Sequence, residues 1–141
     1  MTAEKKIQVK AIKAAETGNM NIMAGRTGGT VLITQGYYIV YMPEKDCMLD
    51  LSKIKQFPEE ALESYSPENL EKQLKPAKQT NRLMYRNGKR LRLFVSGDSE
   101  RIWVNEKYAG MFRDGVFHSV DIGKEYSALA CTLYGNIRGL I

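Results

Sequence analysis

Four groups of residues have the types that chemistry needs. Residues 24–30, AGRTGGT, put three glycines and an arginine just before the apolar run VLI. A phosphate-binding P-loop needs GxxxxGK[ST] between a strand and a helix, so that the lysine reaches the phosphates and the helix N-terminus supplies aligned N–H groups. The segment has no lysine, TVLIT after Gly29 is a β-type run, and GxGxxG is absent. The glycines are therefore expected to supply positive φ in a hairpin loop, with Arg26 at its exposed tip. His118 is the only histidine and sits in FHSVD, beside Ser119 and near Asp121. Neighbours in one strand point to opposite faces, so this adjacency does not make a Ser-His-Asp triad, and a half-exposed strand histidine is expected. Glu59, Glu60 and Glu63 share a helical neighbourhood, which a solvated helix face explains better than a magnesium site. Cys47 and Cys131 are far apart with no CxxC spacing, and read as reduced thiols of the core. With one histidine and two isolated cysteines there is no standard zinc site. No nucleophile-elbow, kinase or deaminase signature is present either. The expectation is a protein with no catalytic residue, no metal and no cofactor, and not an enzyme.

The fourth group is charge. The chain has 141 residues and a net charge of +5, unevenly placed. From Glu44 to Glu71 there are eight acidic residues against Lys45, Lys53 and Lys55. From Lys72 to Arg92 there are eight basic residues and no acidic one. Such asymmetry can steer a polyanion or an acidic partner. In RLMYRNGKRLRLF, Arg82, Met84 and Arg86 alternate with Leu83 and Tyr85, and Arg90 and Arg92 alternate with Leu91 and Leu93 around the turn Asn87-Gly88. That pattern predicts a hairpin with one strongly basic face and one apolar face. Like charges across two strands repel, and a polyphosphate would relieve the repulsion by counterion exchange. The competing reading is a solvated outer face that also blocks edge aggregation. The tyrosines and Trp103 fit sheet packing better than base stacking.

The elements that must position these residues follow from pattern. KIQVK predicts a first strand and AIKAAETG a short helix stopped by Gly18. NMNIMA, TVLIT and YYIVYM follow, the last the clearest strand, with CMLDL as one more. PEEAL and PENLEKQL carry proline and carboxylates at helix starts, and Pro76 stops the second. RLMYR and RLRLFVS form the Asn-Gly hairpin, RIWV a further strand, and NEKYAGMF a short helix capped by Asn105. VFHSVDI, YSALACTLYG and NIRGLI close the chain as strands. The sum is an α+β fold, mainly antiparallel sheet of short strands with three or four short helices, in a single domain over residues 1–141. No signal or membrane-span pattern is visible, which predicts a cytoplasmic protein with no membrane partner.

The C-terminal order of strand, NEKYAGMF helix, VFHSVDI strand and two strands ending in NIRGLI resembles the closing part of a domain of bacterial DNA-polymerase sliding clamps. The start, KIQVKAIKAAE, is similar to the clamp opening of strand then helix, and AGRTGGTVLIT sits where clamp domains have strand, turn, strand. The stretch MAGRTGGTVLIT is also similar to small uncharacterised phage-like proteins. The resemblance implies a non-enzymatic platform whose helices offer Lys10, Lys13 and Lys107 to duplex phosphates without reading sequence. It further implies a groove for hydrophobic peptides nearest Arg138 and Leu140. Together with Arg82, Arg86, Lys89, Arg90 and Arg92 of the hairpin, these residues define the expected contacts. The expected partner is DNA, bound independently of sequence, or an acidic or replication-type protein. The alternative is a protein-interaction accessory factor of a phage or mobile element that binds no nucleic acid.

Overall fold

The computed structural model describes residues 2–18, 21–112, 114–122 and 126–141. The chain is α+β, with ten strands, nearly all antiparallel, and no helix among the described residues long and apolar enough to cross a membrane. It divides into two compact units, Met1–Ser66 and Pro67–Ile141.

The first unit opens with a helix, α1 (Ala3–Thr17). Thr2 caps it by accepting the Lys5 N–H at 3.2 Å, and Gly18 ends it in the left-handed region at φ 73°. The strand expected over KIQVK is thus helix. A short alternating run is ambiguous, and the 3.6-residue spacing decides: Ala3, Ile7, Ala11 and Ala14 are buried on one face, while Val9 stays 40% exposed. Strands β1 (Met23–Thr27), β2 (Thr30–Thr34) and β3 (Ile39–Pro43) form a meander. Gly28 and Gly29, at φ 54° and 79°, make the two-residue turn of the β1–β2 hairpin, as the turn reading of AGRTGGT required. Arg26 lies in β1 and pairs with Glu44 at 2.9 Å. Gly25 serves close packing instead: a Cβ there would meet Leu62 Cδ2 at 2.6 Å. Tyr41 is buried and donates its hydroxyl to the Tyr65 carbonyl at 2.7 Å, and burial drives its pKa well above the phenol range.

CMLDL forms no strand. Asp50 accepts the Ser52 N–H and hydroxyl, at 3.1 and 2.6 Å, and starts a 3₁₀ turn over Leu51–Lys53. The two-residue strand β4 (Lys55–Gln56) then pairs in parallel with β1, followed by the short helix α2 (Glu59–Leu62).

The second unit begins with α3 (Pro67–Glu71) and the twelve-residue strand β5 (Lys75–Arg86). Pro76, expected only to stop a helix, lies inside β5 and pairs with His118. Next come β6 (Lys89–Ser96), β7 (Arg101–Asn105), α4 (Glu106–Ala109), β8 (Val116–Ile122), β9 (Tyr126–Leu133) and β10 (Asn136–Leu140). Asn105 caps α4 by accepting the Lys107 N–H at 3.0 Å. The strand order in this unit is β10-β9-β8-β5-β6-β7. Its core joins Phe94, Ile102, Val104, Ala109 and Leu129, with Ala77, Phe117 and Ile141 packed against them.

Candidate nucleic-acid interface

The hairpin forms around Asn87 and Gly88, at φ 52° and 74°. Its register pairs Leu83 with Arg92, Met84 with Leu91, Tyr85 with Arg90, and Arg86 with Lys89. Cross-strand partners share a face, and residues two apart share a face. Arg90 and Arg92 therefore lie with Leu83, Tyr85 and Phe94, whereas Arg82 and Arg86 lie with Met84, Lys89 and Leu91. This corrects the expected division into one basic face and one apolar face. The alternation along each strand holds, but the pairing register places the two sets of arginines on opposite sides.

The inner pair is engaged. Phe94 of that face is fully buried in the core. Arg90 Nε meets Glu106 Oε2 at 2.7 Å. Arg92 donates Nε to Glu106 Oε1 at 3.1 Å, a second bond to the same oxygen through Nη2, and Nη1 to the Thr80 carbonyl at 3.2 Å. Arg92's hydrogen bond, before the charges of Arg90 and Arg92, holds the Glu106 carboxyl below the usual glutamate range. One carboxylate at the start of α4 thus occupies two cations expected to be available to an anion.

The outer face of β5, β6 and β7 differs. β6 pairs with β7 as Leu91↔Asn105, Leu93↔Trp103 and Val95↔Arg101, while Lys78 pairs with Val95. The face carries a row of apolar side chains, of which Leu93 is buried and Met84, Leu91, Val95 and Trp103 are half-buried. Exposed Lys78 and Arg101 stand at one end, and exposed Arg86 and Lys89 at the other. Arg82 leaves the irregularity between Gln79 and Leu83, also exposed. No carboxylate belongs to the strand residues of this face, and Lys78, Arg82, Arg86 and Arg101 have no ion-pair partner among the described residues. At ~3.3 Å per residue, Lys89 and Val95 are about 20 Å apart. Lys78 belongs to the basic stretch of the sequence, whereas Arg101 lies outside it. Its period-2 spacing from Trp103 was the available signal, and only the β6–β7 register makes it informative.

The remaining expected contacts lie elsewhere. Lys10 and Lys13 are exposed on α1, and Lys107 is exposed on α4. Leu140 is 4% exposed and offers no surface to a peptide, while Arg138 is half-buried with its Nε enclosed and unpartnered.

Of the residues weighed for catalysis, His118 lies half-buried in β8 with Nε2 3.1 Å from Thr132 Oγ1, and its buried Nδ1 has no partner. Burial lowers its pKa. Ser119 is buried on the opposite side of the strand, and Asp121 accepts a hydrogen bond from Ser127 at 2.9 Å. The three do not converge. Cys131 is buried, its Sγ donating to the Phe112 carbonyl at 3.3 Å, Cys47 is half-buried in a loop, and neither is in a disulfide. Among the described residues no group of three His, Cys, Asp or Glu side chains is placed to hold a metal ion.

No protein-family model, no curated protein and no solved structure matches the chain.

Proposed function

We propose that this protein is a non-enzymatic binding module that contacts nucleic-acid phosphates, independently of sequence, through the outer face of β5, β6 and β7. The observation that carries the reading is the carboxylate-free face bearing Lys78, Arg82, Arg86, Lys89 and Arg101. Lys78, Arg82, Arg86 and Arg101, which have no ion-pair partner among the described residues, keep their charge for an external anion, and counterion release then drives association. The succession β7, α4, β8, β9, β10 supports the clamp-like reading of the fold. Engagement of Arg90 and Arg92 by Glu106 narrows the contact set to the outer residues.

The test is fluorescence-anisotropy titration of labelled duplex and single-stranded DNA. About four phosphate contacts predict a salt slope near −3.6, and so a loss of affinity of roughly 150-fold between 50 and 200 mM salt. No binding at the lower salt would remove nucleic acid from the account and leave an acidic protein surface as the partner.

A further inference from the structure

The first unit holds an open cleft of about 840 Å³ whose lining includes Lys10, Lys13 and Thr17 of α1, Gln35 and Tyr37 of the β2–β3 connection, and Lys55 of β4. We infer that this cleft is a binding site for a small phosphate-bearing aromatic ligand of the nucleoside di- or triphosphate class. The inference stands apart from the sheet face and does not rest on it.

The cations come from two directions. Lys10 and Lys13 are three residues apart on α1 and so share a flank of the helix. Lys55 arrives from the other side because β4 pairs in parallel with β1, Met23 opposite Lys55, and Met23 also lines the cleft. No carboxylate lines it, and neither Lys13 nor Lys55 has an ion-pair partner among the described residues. Lys10 is held in place, its Nζ 3.4 Å from the Tyr38 hydroxyl and 5.8 Å from that ring's centroid. Three lysines thus line one cleft that no carboxylate lines, and a polyphosphate bridging them would supply the missing counter-charge.

The rest of the lining suits the other half of such a ligand. Ile22 and Met23 are apolar, Gln35 brings an amide able to donate and accept, and Tyr37 offers an exposed ring for an aromatic group to cover. The lining is mainly polar and cationic, which suits a charged ligand, and the volume falls in the range of roughly 300–1,000 Å³ of small-molecule sites. The phosphate chain alone would use the lysines, and an attached aromatic base would cover Tyr37.

The experiment is calorimetric titration of the whole chain with sodium tripolyphosphate, ATP and adenosine. Tripolyphosphate is expected to bind, ATP more tightly, and adenosine at least tenfold more weakly than ATP. Lys13→Glu and Lys55→Glu should each weaken ATP binding at least tenfold, and Lys55→Gln about threefold. Arg86→Glu on the sheet face should leave it unchanged. Both lysines are exposed, so the melting curves of these variants should match the parent. ATP affinity within twofold of the parent in both charge reversals overturns the inference. So does an equal loss in Arg86→Glu, because the anion would then sit on the other unit. ATP binding no tighter than tripolyphosphate overturns the aromatic part.

Discussion

The division of the hairpin arginines into an engaged pair and an outward set makes unequal demands on stability. Arg92→Ala and Arg86→Ala test it. The Arg92 side chain is 14% exposed and donates to the Thr80 carbonyl as well as to Glu106. A hydrogen bond from a charged group contributes about 1.5–3 kcal/mol when shielded. Partial solvent access at this site reduces that, while loss of the packed aliphatic stem adds to it, giving about 1–2 kcal/mol for Arg92→Ala. Arg86 is exposed with no ion pair, so Arg86→Ala is expected within about 0.5 kcal/mol of the parent. Equilibrium urea unfolding followed by Trp103 fluorescence reads both, because Trp103 pairs with Leu93 in the same three-stranded group. At about 2 kcal/mol per molar urea, the Arg92 midpoint should fall by about half to one molar, and the Arg86 midpoint should barely move. Arg92→Lys should fall between the two, since an ammonium lacks the planar fork that serves Glu106 and Thr80 together. Equal midpoints for Arg86→Ala and Arg92→Ala, or a larger loss at Arg86, would refute the register argument.

Glu106 has a depressed native pKa, so its contribution is complete above the ordinary glutamate value and is lost as pH falls through the native one. Acid unfolding of Glu106→Gln should accordingly be less steep than that of the parent. His118 also has a lowered native pKa. Below the unfolded value the unfolded chain binds the extra proton, so stability should rise with pH through the region just below 6.5, and His118→Gln should flatten that rise in chemical-denaturation curves. Gly139→Ala would drive a Cβ into Phe112 Cε1 and Cζ, and that ring is buried. The expected loss is about 1–3 kcal/mol, and combining it with Phe112→Leu should cost less than the sum of the two single changes in the same unfolding assay.

Local signals carried much of the fold. Asn87-Gly88 and Gly28-Gly29 formed their turns because positive φ there is a local demand, and Asn105 capped its helix for an equally local reason. KIQVK did not behave so simply, because five residues satisfy both periods and the Thr2 cap and the alanines beyond decide between them. CMLDL was lost to the Asp50–Ser52 hydrogen bonds. The site was less legible than the fold. Alternation along RLMYR and RLRLF was visible, but the faces depend on which residue opposes which. That register follows an irregularity between Gln79 and Leu83. Nothing in the hairpin announces Glu106, fourteen residues beyond Arg92, as the acceptor for two of its arginines. Arg101 and Lys55 gain their meaning only from strand pairings.

The most direct test of the central claim is the slope of log affinity for duplex DNA against log salt, measured for the parent, Arg86→Ala and Arg90→Ala. Arg86→Ala is expected to reduce the slope by about one, the loss of one phosphate contact, while Arg90→Ala, whose cation already faces Glu106, leaves it unchanged. A slope that falls for Arg90→Ala and holds for Arg86→Ala would contradict the account, because the phosphates would then lie on the inner face.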